Sequence, residues 1–226
     1  MTLVEVMIAM TIGVIVISAA VGFLLEGTKA SYQAMANVEN SIQQWGLDTK
    51  LQIDSKIANG VVIFASADTS TWVGGRPIEV LVDNGIAPLE RGKILVLTKS
   101  DLDSSGNPTP VIKSMIFYLF TGGNLAATGT LKRYPKKAPA AFDITAPYDS
   151  GTGLPKTVAQ LVSENFSTLT GSGAELIQDN LASIATNGPF AHLGSAKNVS
   201  IAVVREETTL GTVKNSNLTE VSFNLR

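Results

Sequence analysis

An uninterrupted apolar run near the start of the chain limits what the protein can fold into. Residues 6–25 contain no formal charge, Glu26 ends the run, and Glu5 is the only charged side chain before it. A helix of that length spans about 30 Å, which matches the hydrocarbon thickness of a bilayer. A carboxylate beside such a run is costly to bury unless a partner neutralises it, so Glu5 needs an explanation.

A secretory signal peptide is the simplest alternative for this run. Such peptides carry a basic segment, a shorter apolar stretch and a small-residue cleavage site. No Lys or Arg precedes residue 6, and the apolar run is longer than a signal peptide requires. The missing basic flank leads us to expect that a basic leader is removed before Met1. A plain membrane anchor stays open as an alternative, although it leaves Glu5 unexplained.

The remainder of the chain has the composition of a β-rich head. It is rich in Gly, Ser, Thr, Asn and Val, and aromatic residues make up only 6% of the sequence, which favours strands and turns over a helical bundle. The net charge of −2 provides no basic field for nucleic acid. The absence of cysteine excludes disulfides, thiolate metal sites and cysteine catalysis. His192 is the only histidine, so we expect no catalytic constellation and no enzyme activity.

The apolar helix is expected to continue beyond residue 25. Residues 26–58 lack proline, and their apolar residues recur at three-to-four spacing, which predicts an amphipathic helix packed on the head. The expected apolar face consists of Ala34, Met35, Val38, Ile42, Trp45, Leu51, Ile53 and Ile57. Asn59-Gly60 predicts the end of a single helix that begins near Thr2 and is about 85 Å long.

The first five residues, Met1-Thr2-Leu3-Val4-Glu5, point to a family. Followed by an apolar helix, they resemble the mature N-terminus of type IV pilins and type II secretion pseudopilins. In that family a prepilin peptidase removes a short basic leader and N-methylates the new terminus, which is Met1 here. Phenylalanine is commoner at this first position, so Met1 is a departure, and an initiator methionine is the alternative.

The resemblance implies an α+β pilin fold in which a long N-terminal helix packs on an antiparallel sheet. The implied units are a hydrophobic helical stem at 1–25, an amphipathic continuation packed on the head at 26–59, and a β-rich head at 60–226. The implied function is that of a structural subunit of a type IV pilus-like extracellular filament. Glu5 is expected to pair with the Met1 amine of a neighbouring subunit during polymerisation. The stem is expected to anchor the subunit in the inner membrane and then to form the filament core.

The resemblance also implies partners. They are identical copies of the chain, the prepilin peptidase, an inner-membrane platform, an assembly ATPase and membrane lipid before assembly; nucleic acid is not expected. The alternative is a minor pilin or type II secretion pseudopilin that acts at the tip or primes assembly, in the periplasm if it is a pseudopilin.

Glycines interrupt the predicted helix at Gly13, Gly22, Gly27 and Gly46, each at about 1 kcal/mol relative to alanine. One interpretation is close packing between helices through small residues. The other is a segment between Gly13 and Gly22 that loses helicity on assembly. Many pilins carry a proline near the end of the apolar run, where this chain has Gly22.

Two further motifs are candidate sites. The start of a calcium loop is matched by Asp101, Asp103, Ser105 and Asn107. Oxygen ligands at alternate positions suit a hard cation, but Ile112 stands where the loop needs a bidentate glutamate, so an ordinary turn is the alternative. Calcium is thus the one candidate cofactor. Candidate glycosylation sequons occur at Asn165, Asn198 and Asn217.

Apolar and alternating runs predict the elements of the head. Strands are predicted at 61–65, 78–82, 93–98, 111–120 and 131–134, and a closing hairpin at 199–205 and 218–225. The pattern of residues 157–166 is ambiguous, and a strand is the favoured interpretation. Residues 135–156 are rich in Pro, Ala and Gly and indicate a long loop. Ser172 and Glu175 form a capping-box pattern. It predicts a helix with the apolar face Leu176, Ile177, Leu181 and Ile184.

Overall fold

One continuous helix, α1, spans Leu3–Ile57 in the computed structural model. The structure describes residues 2–73, 75–80, 91–123, 128–143, 158–170, 174–183, 187–193, 195–209 and 213–224. With 55 residues, α1 is about 80 Å long, so the predicted single helix is confirmed. Thr2 caps its N-terminus, and the Ala58 N–H donates to the Asp54 carbonyl at its C-terminus.

In the described part of the chain, nine strands and a second helix form the head. They are β1 (Gly60–Phe64), β2 (Arg91–Gly92), β3 (Ile94–Leu102), β4 (Pro108–Phe120), β5 (Gly129–Asp143), α2 (Val158–Thr170), β6 (Glu175–Ser183), β7 (Phe190–Leu193), β8 (Ser195–Thr209) and β9 (Val213–Asn224). The paired strands run antiparallel. The fold class is therefore α+β, as predicted, with a long apolar N-terminal helix packed against an antiparallel sheet, which is compatible with a pilin-like fold.

The sheet follows the order β1-β3-β4-β5-β6-β8-β7-β2, with β9 added on β8. Ile201 of β8 pairs with Phe190 of β7 on one edge and with Val221 of β9 on the other. Arg205, further along β8, pairs with Leu181 of β6. β6 and β7 therefore share one edge of β8, while β9 covers the opposite edge. The β8–β9 pair confirms the predicted closing hairpin.

Alternating side chains of the central strands build a core on each face of the sheet. On β4, Tyr118 faces the core that contains Leu51 of α1, whereas its neighbour Phe117 faces the core that contains Leu161 and Val162 of α2. This alternation is the two-residue period of a strand that is covered on both faces. The two helices therefore lie on opposite faces of the sheet.

Among the described residues, the buried side chains of α1 lie in its last three turns. Leu47 and Leu51 are fully buried, and Asp54 and Ala58 are nearly so. The expected apolar face is wrong for most of its members, since the side chains of the following six are between 46% and 70% exposed: Met35, Val38, Ile42, Trp45, Ile53 and Ile57. At about 100° per residue, these two sets lie on roughly opposite sides of the helix. The helix therefore has two apolar faces, one buried and one exposed. The three-to-four spacing of apolar residues in the sequence does not distinguish them.

The predicted strand over 157–166 is wrong, because Val158–Thr170 forms α2. Val158, Leu161 and Val162 follow helical spacing, and the last two are fully buried against the sheet. Short apolar runs rich in β-branched residues fit a strand or a helix equally well before tertiary contacts are known.

The predicted helix after Ser172 is also wrong, because Glu175–Ser183 forms β6. β6 pairs with β5 through Leu176 and with β8 through Ala182. Strand pairing on both sides outweighs a local capping pattern. Ser172 and Ile184 lie outside the described residues.

The predicted loop over 135–156 is wrong in its first part, because β5 continues along β4 to Asp143. β6 pairs with β5 only as far as Arg133. Pro135 therefore lies where one edge of β5 lacks a strand partner among the described residues, which is where a sheet tolerates proline. Residues 144–157 lie outside the described part.

The other predicted strands are confirmed with shifted ends, with one exception. Residues 61–65, 93–98, 111–120 and 131–134 correspond to β1, β3, β4 and β5. The strand expected at 78–82 is reduced to a bridge between Glu79 and Phe64 of β1, and residues 81–82 lie outside the described part. Asn59 lies in the turn between α1 and β1. It joins this turn to β3, because its side chain exchanges two hydrogen bonds of 2.9 Å with the backbone of Ser100.

Candidate functional site

The part of the stem that lies in α1, residues 3–25, presents its apolar side chains to the surroundings. Leu3 is 80% exposed and Phe23 is 78% exposed. By length and composition α1 can cross a membrane. No residue of its most apolar 18-residue stretch is buried. A core helix of a soluble protein can have the same length and composition, but it would be mostly buried. The exposure therefore favours a membrane anchor or an intermolecular contact.

Hydroxyl groups in and just after the stem are satisfied within the helix. Thr11 and Ser18 each donate to the carbonyl four residues earlier at 2.8 Å, and Thr28 does the same at 3.0 Å. These bonds matter because an unsatisfied polar group is costly in hydrocarbon. These threonine and serine hydroxyls are therefore compatible with a lipid environment.

Glu5 lies in the first turn of α1 and completes a capping box with Thr2. Glu5 Oε2 accepts a hydrogen bond from the Thr2 N–H at 2.7 Å, and Thr2 Oγ1 accepts one from the Glu5 N–H at 3.4 Å. The two bonds satisfy amide groups that the start of a helix leaves without intrahelical partners. This capping role was not predicted from the sequence, although the Thr-x-x-Glu spacing of residues 2–5 is the signal for it.

The Glu5 carboxylate can still bind a second partner while it takes part in the capping box. The residue is exposed, and the box uses only one of its two carboxylate oxygens. The carboxylate also lies at the N-terminus of α1, where the helix dipole favours negative charge. Met1, the expected source of the partner amine, lies outside the described residues.

α1 continues as regular helix through Gly13 and Gly22. A Cβ added at either position would meet nothing within 4 Å. The space beside each glycine is therefore open in a single subunit, where a neighbouring helix could approach. Close packing and melting on assembly both stay predictions for these glycines.

A buried carboxylate joins the end of α1 to β4 and β5. Asp54 is 2% exposed, and its Oδ2 accepts from Arg133 Nε at 2.6 Å and from the Tyr118 hydroxyl at 2.5 Å. Its Oδ1 accepts from Arg133 Nη2 at 2.8 Å. A buried ion pair offsets its desolvation only when further hydrogen bonds satisfy its atoms, as these do. We call this set of three residues the helix lock, because it fixes how α1 lies on the sheet.

The helix lock shifts the pKa values of both donors. Burial, and then the hydrogen bond to Asp54, raises the pKa of Tyr118 above its ordinary value of 10.0. A phenolate there would lie beside a carboxylate in a dry site, which disfavours ionisation. The hydrogen bond to Asp54 also raises the pKa of Arg133. Both groups therefore remain donors at neutral pH.

An outer ion pair extends the helix lock towards solvent. Glu175 of β6 pairs with Lys50 of α1 and accepts a hydrogen bond from Arg133 Nη1 at 3.3 Å. The Lys50 hydrogen bond is the main cause that lowers the pKa of Glu175. Both side chains of the Lys50–Glu175 pair are well exposed, so solvent screens this pair far more than Asp54.

The helix lock was not predicted from the sequence. Tyr118 and Arg133 are 64 and 79 positions from Asp54, and no local motif links them. The available signal is that Asp54 continues the helical spacing of Leu47 and Leu51. A carboxylate on a buried helix face requires a partner.

The candidate calcium loop forms the exposed turn between β3 and β4. Asp103 Oδ1 accepts from the N–H groups of Ser105 and Asn107 at 2.8 and 2.9 Å, and these bonds lower the pKa of Asp103. Asp101 pairs instead with Lys113, at 2.6 Å. Among the described residues, no group of three or more acidic, histidine or cysteine side chains is placed to hold a metal ion. The geometry matches the ordinary turn and lends the calcium hypothesis no support.

The three sequons fall in different elements of the head. Asn165 lies in α2, Asn198 in β8 and Asn217 in β9. Their side chains lie outside the described part of the structure.

The resemblance to pilins rests on the N-terminal residues and on the architecture of a long apolar helix against an antiparallel sheet. Comparison of the chain with protein-family models, with curated proteins and with solved structures found no significant match.

Proposed function

We propose that the protein is a structural subunit of a type IV pilus-like filament and that it polymerises through α1. The observation that carries this proposal is the exposed stem with a charged acid, Glu5, in its first turn. In this account the stem holds each subunit in the inner membrane before assembly. It then forms the core of an extracellular filament, with the heads outside.

The exposed stem accounts for why the subunit cannot remain alone in water. Burying each large aliphatic side chain is worth about 1.5–3 kcal/mol, so the whole stem represents some tens of kcal/mol. Lipid tails and neighbouring stems bury these side chains about equally well, because lipid tails are as apolar as the side chains. The step from membrane to filament therefore needs an interaction that lipid does not provide.

Glu5 supplies that interaction in the proposal. Its carboxylate would pair with the N-terminal amine of the neighbouring subunit, and each charge would offset the cost of burying the other in the apolar core. The capping box holds the carboxylate at the start of α1, so its position is set before a neighbour arrives. A subunit in the wrong register would bury an unpaired charge, which gives the pair a role in alignment.

The remaining partners of the proposal come from the resemblance. A prepilin peptidase would release and N-methylate Met1, and an inner-membrane platform with an assembly ATPase would extract the subunit from the membrane. The chain itself would perform no catalysis.

Two substitutions at Glu5 separate its charge from its capping role. Glutamine fits the N3 position of a capping box as well as glutamate does, whereas alanine does not. We expect Glu5→Gln and Glu5→Ala both to reduce strongly the amount of subunit in filaments sheared from cells, relative to the membrane fraction. Leader processing is checked on the same samples by the mass of the N-terminal peptide.

Normal incorporation of both variants would contradict an assembly role for Glu5. Normal incorporation of Glu5→Gln together with loss of Glu5→Ala would assign Glu5 to helix capping instead. Thr2→Ala, which removes the other half of the capping box but keeps the charge, is the matched control and should assemble.

A further inference from the structure

α1 carries a second apolar surface, outside the stem and turned away from the head. We call it the seam, and it consists of Met35, Val38, Ile42 and Trp45. These side chains are between 59% and 70% exposed. They lie roughly opposite the face of α1 that contacts the sheet, and the seam ends at Trp45, just before the buried Leu47.

The seam continues a repeat that begins in the stem. Alternating steps of four and three residues connect Leu3, Met7, Met10, Val14, Ile17, Val21, Leu24, Thr28, Ser31, Met35, Val38, Ile42 and Trp45. Only Thr28 and Ser31 in this series are polar. An apolar repeat of 3.5 residues marks the line along which two helices wind around each other with a left-handed twist. The seam is therefore shaped to receive another helix.

The residues beside the seam permit close approach. In heptad terms, Ala34, Ser41 and Gly46 occupy flanking positions and are small. Glu39 is the charged residue at a flanking position, and in a parallel pair it would face Ala34 of the other helix, so no like charges meet. Shallow hollows along the seam, lined by Val38 and Ile42, provide places for incoming side chains.

We infer that the seam packs against the seam of a second copy of this chain, in parallel and in register. The seam carries no charge, so it offers nothing to a partner of opposite charge, whereas it is complementary to itself. Copies anchored by the same stem share one orientation and place residues 35–45 at the same height above the membrane. The inference rests on the proposed function only for this anchoring, and it adds a contact outside the membrane that forms before assembly.

Cysteine substitution tests the inference, because the chain contains no cysteine of its own. Val38→Cys and Ile42→Cys lie on the seam, while Asn37→Cys and Gln44→Cys are exposed on the same stretch of helix but off the seam. The full chain is produced in membranes without the assembly machinery and oxidised. We expect disulfide-linked dimers from the two seam variants at a level at least about tenfold above the two others. Equal linking at all four positions, or none at the seam, would overturn the inference.

A charge placed on the seam provides a second test that does not depend on disulfide geometry. In the Val38→Cys background, Ile42→Glu should reduce the dimer at least about tenfold, because pairing would bury two like charges. Gln44→Glu adds the same charge off the seam and should leave the dimer unchanged. Both sites are exposed, so neither change disturbs the head. Equal dimer yield from the two variants would also overturn the inference.

These outcomes are separable from the fate of the proposed function. Failure of the seam tests for a chain that is found in sheared filaments would remove the inference and leave the filament role standing. Seam-specific dimers from a chain that never enters filaments would support the inference and remove the filament role.

Discussion

Arg133 holds both carboxylate oxygens of Asp54, with Nε 2.6 Å from Oδ2 and Nη2 2.8 Å from Oδ1. The first residue belongs to β5 and the second to the last turn of α1, so this one pair joins the long helix to the sheet. Since the stem is the other end of the same helix, the pair also sets the direction in which the stem leaves the head.

Removal of Arg133 should destabilise the head strongly. Arg133→Met leaves the Asp54 carboxylate buried without its counter-ion, which typically costs about 3–5 kcal/mol. The measurement is denaturant unfolding of the full chain in detergent micelles, followed by tryptophan fluorescence. Lys113→Met breaks the exposed pair with Asp101 and should cost less than about 1 kcal/mol. Equal stability of the two variants would contradict the role assigned to the helix lock.

Alkaline pH should weaken the head through Tyr118. Burial raises the pKa of this residue in the folded protein, whereas a tyrosine in the unfolded chain ionises near pH 10. The folded state therefore keeps a proton that the unfolded state gives up. This stabilisation is complete below about pH 10 and is lost as the pH rises further. We expect the free energy of unfolding to fall steadily above that pH.

Tyr118→Phe tests this assignment. Loss of the hydrogen bond to a charged group should lower the free energy of unfolding by about 1.5–3 kcal/mol at neutral pH. The variant should also show a flatter decline above pH 10 than the wild type. Tyr32→Phe, on the exposed surface of α1, should leave both properties unchanged. An unchanged alkaline slope in Tyr118→Phe would show that another group causes it.

The turn between β3 and β4 should be indifferent to calcium. Asp103 already accepts two backbone hydrogen bonds, and the Lys113 ammonium occupies the neighbourhood of Asp101. Millimolar calcium should shift the unfolding temperature of the full chain no more than magnesium does. Asp103→Asn keeps a side-chain oxygen for the turn but removes the charge, so its stability should stay close to that of the wild type. Calcium-binding heat in the wild type that is lost in Asp103→Asn would contradict this prediction and support the calcium hypothesis.

Local patterns predicted those parts of the fold that depend on local interactions. The long helix follows from its unbroken apolar and amphipathic periodicity, and the β8–β9 hairpin follows from two alternating runs close in sequence. α2 was predicted as a strand and β6 as a helix. Both are short segments whose secondary structure is decided by contacts with residues far along the chain. For β6, pairing with β5 and β8 outweighs the capping pattern around Glu175.

The residues of the candidate site also differ in whether local sequence patterns reveal them. Glu5 was accessible to sequence reasoning because it stands out against an apolar background. The helix lock was not, since Asp54, Tyr118 and Arg133 meet only when α1, β4 and β5 come together. The seam was visible as periodicity, but the sequence alone could not decide whether it faced the head or a neighbour. In the structure its side chains are exposed and do not face the head.

The central claim is that the chain polymerises through α1, and electron microscopy of sheared surface filaments tests it most directly. Peptide mass spectrometry of the same sample identifies the repeating subunit. The account predicts that this chain is the repeating subunit and that its stems fill the filament core, with Glu5 beside the N-terminus of a neighbour. A trace amount of the chain in filaments built from another protein would assign it to the tip or to priming. Retention of the chain in the membrane fraction, with filaments present that lack it, would contradict the account.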